Sequence, residues 1–270
     1  MGDRKNFFIT GCASGIGKHL TSVLLSQGKN VFATDINFEG LENAAQEAGW
    51  PSERVWLERL DVRGNDEWQT VFPKAVEAMG FVDCIINNSG ILKAFWCHET
   101  PPDMVDLMID VNVKGVMFGT QVAAKHMIER KEGHVINVAS MAGMAPITGQ
   151  SVYSGSKFAV RGYTLACAAE LRKHGVACTA ICPAGVQTPL FAGQEQEEAA
   201  AMIFVEKNLL TVQDIERAII NKALPGEPLE VALPTKLAIQ ARFASMFPRL
   251  GSVLGPMYMN KGRKNQLRKA

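Results

Sequence analysis

Short, nearly continuous apolar runs alternate along this chain with longer segments whose apolar residues recur every three or four positions. The runs at 5–9, 30–34, 54–60, 83–86, 133–138, 176–181 and 229–232 have the length of strands. Their lack of in–out alternation predicts strands covered on both faces. The periodic segments at 15–27, 39–48, 65–79, 102–131 and 152–173 predict helices, and Gly28, Gly49, Gly80 and Gly175 stand where helices stop. Strand–helix alternation of this kind predicts an α/β fold with a doubly wound parallel sheet.

Two stretches break the rhythm. Residues 188–228 open on Thr188-Pro189 and hold Glu195–Glu198, an alanine run and Phe204; they predict one or two helices inserted before the last strand, either surface helices or a mobile lid. The tail, 234–270, predicts a helical extension. After Glu230 it has no acidic residue and eight basic ones, so it carries +8 against a net charge of +1 for the whole chain.

The 270 residues fit one large domain, and the small net charge argues against a nucleic-acid partner. The six cysteines form no CxxC pair; Cys178 and Cys182 share one face of a strand, which predicts buried free thiols, a reducing compartment and no metal. With no signal-peptide segment or apolar span, the expected location is the cytoplasm.

Chemistry enters at Thr10-Gly-Cys-Ala-Ser-Gly-Ile-Gly17, directly after the first strand. Gly11, Gly15 and Gly17 allow a tight turn, while Ser14, Gly15 and Ile16 open a helix whose N–H groups suit a pyrophosphate. Asp35, at the end of the second strand, is placed to bond the two ribose hydroxyls of an adenosine and to repel a 2′-phosphate. The fold expected is therefore of the Rossmann type. A second signal is Tyr153 and Lys157, four apart and so on one helix face, with Ser140 at the carboxyl end of the fifth strand, where crevices form.

With these residues the chain resembles the short-chain dehydrogenase/reductase family over nearly its whole length. The glycines match that family's TGxxxGxG spacing, and Tyr153-Ser-Gly-Ser-Lys157 its YxxxK. Asp61-Val62 resembles the pair set against the adenine, and Asn87-Asn88-Ser89-Gly90 the NNAG stretch with Ser89 for Ala. Asn112 falls where the family keeps an asparagine, and Pro183-Ala-Gly-Val186-Gln-Thr188 resembles its PGxxxT turn with Ala184 for Gly.

The resemblance implies NAD as cofactor and hydride transfer to or from an alcohol, ketone or aldehyde. Tyr153 acts as general acid or base, Lys157 lowers the tyrosine pKa, Ser140 polarises the carbonyl, and Asn112 holds a water in a proton relay. It assigns cofactor contacts to Gly11, Ser14, Gly15, Ile16, Gly17, Asp35, Asp61, Val62, Asn88, Tyr153, Lys157, Pro183, Val186 and Thr188. Residues 1–233 are then the catalytic domain and 234–270 a basic extension. The alternatives are an NADP(H)-dependent carbonyl reductase, a sugar-nucleotide epimerase or dehydratase, and a cofactor-binding regulator without turnover. Lys18, close to the glycine turn, favours the first of these; glycine spacing and chain length disfavour the second.

Three further expectations concern substrate and partners. Phe95, Trp96, Met141, Met144, Ile147, Phe191, Met202 and Phe204 either rim a pocket for a lipophilic substrate or pack the core and lid. His98 stands near the same crevice; the other histidines read as structural. Val105, Ile109, Val116, Val122, Phe158, Leu165 and Ala169 exceed one buried stripe, predicting a homodimer or homotetramer through helices 102–131 and 152–173. The tail helix at 237–247 either packs on the body or a sister subunit or, second, makes peripheral contact with an anionic membrane.

Overall fold

The computed structural model describes residues 4–191, 197–205 and 209–267; Glu195, Arg268 and Lys269 lie outside the described residues. Seven parallel strands form one sheet: β1 (Asn6–Thr10), β2 (Asn30–Asp35), β3 (Val55–Arg59), β4 (Cys84–Asn87), β5 (Gly133–Val138), β6 (Val176–Pro183) and β7 (Glu230–Leu233). Their order is β3-β2-β1-β4-β5-β6-β7, so the chain reverses direction across the sheet between β1 and β4. The helices are α1 (Gly15–Ser26), α2 (Phe38–Ala48), α3 (Asn65–Met79), α4 (Pro102–Ile109), α5 (Gly115–Arg130) and α6 (Ser151–Leu171). They are followed by α7 (Val212–Ala218), α8 (Leu224–Gly226), α9 (Thr235–Met246) and α10 (Pro248–Gln266).

The apolar runs are buried on both sides, as their composition requires. Phe7, Ile9, Val31 and Ile86 pack under α1 and α7, while Phe8, Ile85, Val135 and Cys178 pack under α3, α5 and α6. All six cysteines are free, five of them buried. A buried polar network crosses the sheet, with Asn87 donating to Asn137 Oδ1 at 2.8 Å and Asn137 donating to Thr164 Oγ1 at 3.0 Å. These bonds satisfy donors that are costly to bury alone, although Asn87 Oδ1 has no partner among the described residues, and they tie β4 and β5 to α6.

Two expectations change, and the tail takes a definite form. The helix expected over 102–131 is broken by a π-helical turn at Asp110–Lys114, which holds Asn112 fully buried. The 188–228 stretch is not all insertion. Its α7 is capped by Thr211 and Asp214, and Ile215, Ala218 and Ile219 join the central core beside α1. Among the described residues of the stretch, the 3-10 turns at Pro189–Phe191 and Glu198–Phe204 line the cavity at the sheet's carboxyl end as a roof. Finally, the tail continues past 247 into α10. Asn265 Nδ2 donates to Phe204 O (2.9 Å) and Gln266 Nε2 to Glu197 O (2.8 Å), seating that helix on the roof.

Of the residues named for oligomer contact, Val116 and Val122 are buried within the chain's own core. Val105, Ile109, Phe158 and Leu165 are half-buried, and Ala169 is exposed.

Candidate active site

A cavity of about 1210 Å³ runs along the carboxyl ends of the strands, from Asp35 and Ile36 at one end to α9 and α10 at the other. Its first half is a cradle made of backbone. Gly11 and Gly15 have φ of +75° and +53°, conformations that glycine adopts without cost. A Cβ on Gly17 would stand 2.0 Å from Gly11 O, so the turn closes onto α1 only with glycine there. Ser14 is the extended residue before α1, where free N–H groups favour an anion.

The ends of neighbouring strands brace this turn. Thr10 Oγ1 accepts from the amides of Asn88 and Ser89, both at 3.0 Å, and Asn88 Nδ2 donates to Thr10 O at 2.9 Å. Asn87 turns into the buried network instead, so the two adjacent asparagines do different work. Asp35 accepts from the amides of Ala13 and Asn37, both 2.9 Å. These bonds hold its carboxylate at the lip of the cradle.

Asp61 is gripped by Arg63, whose Nε and terminal nitrogen lie 2.9 and 2.6 Å from its oxygens; that bond holds the carboxyl below its ordinary range. Val62 is buried against Gly115. Lys18 is bonded to Glu47 at 2.6 Å and does not line the cavity.

On the far side, Pro183 ends β6 and Ala184 donates to Leu233 O at 2.8 Å with an ordinary backbone, so the missing glycine leaves no strain. Val186 and Thr188 carry the turn back over Gly15, which Thr188 approaches closely. Every cofactor residue expected from the sequence lines the cavity except Gly17, whose backbone forms the cradle's base.

The middle of the cavity holds the reactive groups. Tyr153 and Lys157 stand one turn apart on α6, and Ser140 caps the Met141–Gly143 turn after β5, its Oγ accepting from Ala142 N at 3.1 Å. The turn packs so closely on α6 that a Cβ on Gly143 would meet Lys157 O at 2.4 Å, and Ser140 is thereby brought to a hydrogen bond with Tyr153. Burial pushes the Tyr153 phenol up to about 12, the Ser140 bond pulling the other way. Burial likewise brings Lys157 down to about 8, and its Nζ donates to Val138 O at 2.9 Å.

This corrects one expectation. Lys157 lies 5.8 Å from the Tyr153 ring centre, and burial outweighs the lowering expected from its charge, so the phenol moves up rather than down. Asn112 has a structural role as well. Its side chain accepts from Ile91 N (2.8 Å) and donates to Ile91 O and Ser156 Oγ, locking the loop after β4 onto α6.

The second half of the cavity is apolar. Met141, Ile147, Phe191 and Met202 line it as expected, whereas Phe95 and Trp96 do not, and Met144 and Phe204 are buried in core clusters. His98 is exposed and faces Glu99 at 3.4 Å, away from the cavity. Leu107, Leu209, Leu237, Ile239, Phe243 and Tyr258, not singled out in the sequence, complete the wall. Gln150 also lines it, with a buried Nε2 that has no hydrogen-bond partner among the described residues. Its place three residues before Tyr153 was the available signal.

A glycine cradle before a helix, an acid at the next strand end and a Ser–Tyr–Lys cluster at the crevice define a dinucleotide-binding α/β oxidoreductase. The chain belongs to the short-chain dehydrogenase family, whose description matches residues 5–199. It is 36% identical over 196 residues to 3beta-hydroxysteroid dehydrogenase 2 of Eggerthella lenta, covering 72% of this chain and 75% of that one. It is 35% identical to the 3-oxoacyl-(acyl-carrier-protein) reductase FabG of Thermotoga maritima, covering 67% and 74%. Among solved structures, ElxO with NADP bound superposes with a TM-score of 0.76 at 25% identity, covering 86% of this chain and 97% of that one. A short chain dehydrogenase/reductase from Burkholderia phymatum in complex with NAD shares the fold, with a TM-score of 0.83 at 24% identity and coverage of 92% and 95%.

Proposed function

We propose that this chain is an NAD(H)-dependent oxidoreductase that interconverts a lipophilic alcohol and its ketone or aldehyde. The observation that carries the reading is the juxtaposition, in one cavity, of the Ser140–Tyr153–Lys157 cluster with an apolar far wall. The cradle fits a nicotinamide dinucleotide: Gly11, Gly15 and Gly17 leave room for a pyrophosphate, and Asp35 stands ready for ribose hydroxyls. Bound there, the cofactor supplies or accepts the hydride.

The chain's own residues manage the substrate oxygen. Tyr153, neutral through the working range, donates its proton to the carbonyl oxygen during reduction, and Ser140 donates a second hydrogen bond to the same atom. Alcohol oxidation runs the proton back and requires the phenolate, so it is favoured as pH rises. Lys157, buried beside the phenol, stabilises that phenolate when charged. Gln150 offers a further donor at the cavity wall.

Asp35 supports NAD(H) over NADP(H), since a carboxylate there repels a 2′-phosphate. Exposed Ile36 and neutral Asn37 follow it, with no cation beside it in sequence, and Lys18 is engaged by Glu47. Fluorescence titration tests this: NADH is expected to bind at least about tenfold more tightly than NADPH, and tighter NADPH binding overturns the assignment.

The 3beta-hydroxysteroid dehydrogenase named above is consistent with a lipophilic substrate. Free thiols favour a reducing cytoplasm. Half-buried Ile109, Phe158 and Leu165 favour a homodimer or homotetramer, which light scattering at micromolar concentration tests; a monomer contradicts it.

A further inference from the structure

We propose that the apolar face shared by α9 and α10 docks on the surface of an anionic lipid bilayer and brings the rim of the cavity to the membrane. Ile239, Phe243 and Met246 are 61%, 54% and 72% exposed, and they follow one another at spacings of four and three along α9. Ala238 and Ala241, on the opposite side, are buried against the body. Phe247 lies against Phe243 with ring centres 4.9 Å apart and planes tilted by 46°, and exposed Met257 and Tyr258 add apolar surface on α10. Scattered exposed apolar residues are ordinary, but such a contiguous patch marks a contact surface. Ile239, Phe243 and Tyr258 belong both to this face and to the cavity wall, so the patch is the rim itself.

Charge selects the occupant. Beyond Glu230 the chain has eight basic residues and no acidic one. Arg242 and Arg263 turn to Glu230 and Glu198, and Lys236, Lys261 and Lys264 remain on the exposed surface of the two helices. A second copy meeting this face through a two-fold axis sets one cation-rich surface against another. An anionic bilayer complements both features at once, burying the apolar side chains at the headgroup boundary beneath flanking cations. Among the described residues no helix is long and apolar enough to cross a membrane, so the contact is one of lying on the surface.

The family match ends at residue 199, ahead of both helices. Because α10 is seated on the roof through Asn265 and Gln266, the docking face and the cavity roof form one packed unit.

Cosedimentation of the full-length protein with phosphatidylcholine vesicles, with and without about 30 mol % phosphatidylserine, tests the proposal. Pelleting is expected on the anionic vesicles at low salt. It should drop about tenfold or more on phosphatidylcholine alone or at ~0.5 M salt. Met246→Asp combined with Met257→Asp alters two exposed positions outside the cavity wall. That variant should lose about tenfold in vesicle partition while its NADH titration and melting curve stay unchanged. Negligible pelleting on anionic vesicles at low salt overturns the proposal. So does a variant that pellets as wild type does, including one whose substitutions instead dissociate a dimer in light scattering, which assigns the face to a second copy.

Discussion

Two glycines meet the same steric limit in different parts of the molecule. A Cβ on Gly17 would lie 2.0 Å from the carbonyl oxygen of Gly11, and one on Gly262 would lie 2.0 Å from that of Ala201. The first closes the cofactor cradle onto α1, inside the core under the sheet. The second seats α10 on the roof of the substrate half, at the edge of the molecule. The cradle is made of backbone held by strand ends: Thr10, Asn88 and Asp35 each bond a main-chain group of the turn or of a neighbouring strand end. The roof is made of side-chain contacts between segments about 60 residues apart in sequence. One region fixes a common ligand and the other shapes access for a particular substrate. Equal crowding should therefore have unequal consequences.

The largest effect is expected where the two regions meet. Tyr153→Phe keeps the ring in its packing and removes only the transferable proton. Turnover should fall by about a thousandfold while NADH fluorescence titration changes little. Because burial holds the wild-type phenol near 12, alcohol oxidation should accelerate steadily between about pH 6 and 9, where reduction does not. A Phe variant with wild-type rates removes Tyr153 from the chemistry.

Gly17→Ala comes next. The added methyl meets backbone that cannot move aside, and overpacking of this kind costs about 1–3 kcal/mol. NADH affinity should fall at least about tenfold, with a lower melting temperature. Gly262→Ala tests the other side with the same atom. Helix α10 can shift outward, so NADH titration and melting should stay close to wild type while KM for the alcohol rises a few-fold. If Gly262→Ala weakens NADH as much as Gly17→Ala does, the two halves are not independent and the comparison breaks.

The same contrast explains what was legible beforehand. The cradle depends on local sequence: glycines, a strand end and an acid at fixed spacing leave a readable mark because backbone conformation imposes residue type. Tyr153, Lys157 and Ser140 were readable for the same reason, being tied to a helix turn and a strand end.

The π-turn around Asn112 was not, because one inserted residue leaves the helical pattern of 102–131 nearly intact. Nor was the roof. By composition Phe204 and Met144 fit a pocket rim or the core equally; Leu209 and Phe243 line the cavity and these two are core. Which apolar side chain faces ligand and which faces protein is decided by long-range packing, and apolar character alone does not distinguish them. The direction of the Tyr153 shift was missed likewise, since burial is not written in a YxxxK motif.

The central claim is that this one cavity joins an NAD-selective cradle to an apolar substrate chamber through Tyr153. Its most direct test is kcat/KM with NAD for a series of secondary alcohols of increasing apolar length. kcat/KM should rise about threefold per added methylene until the chamber fills, with steroid-sized alcohols far above small polar ones. A series in which small polar alcohols give the highest values contradicts it.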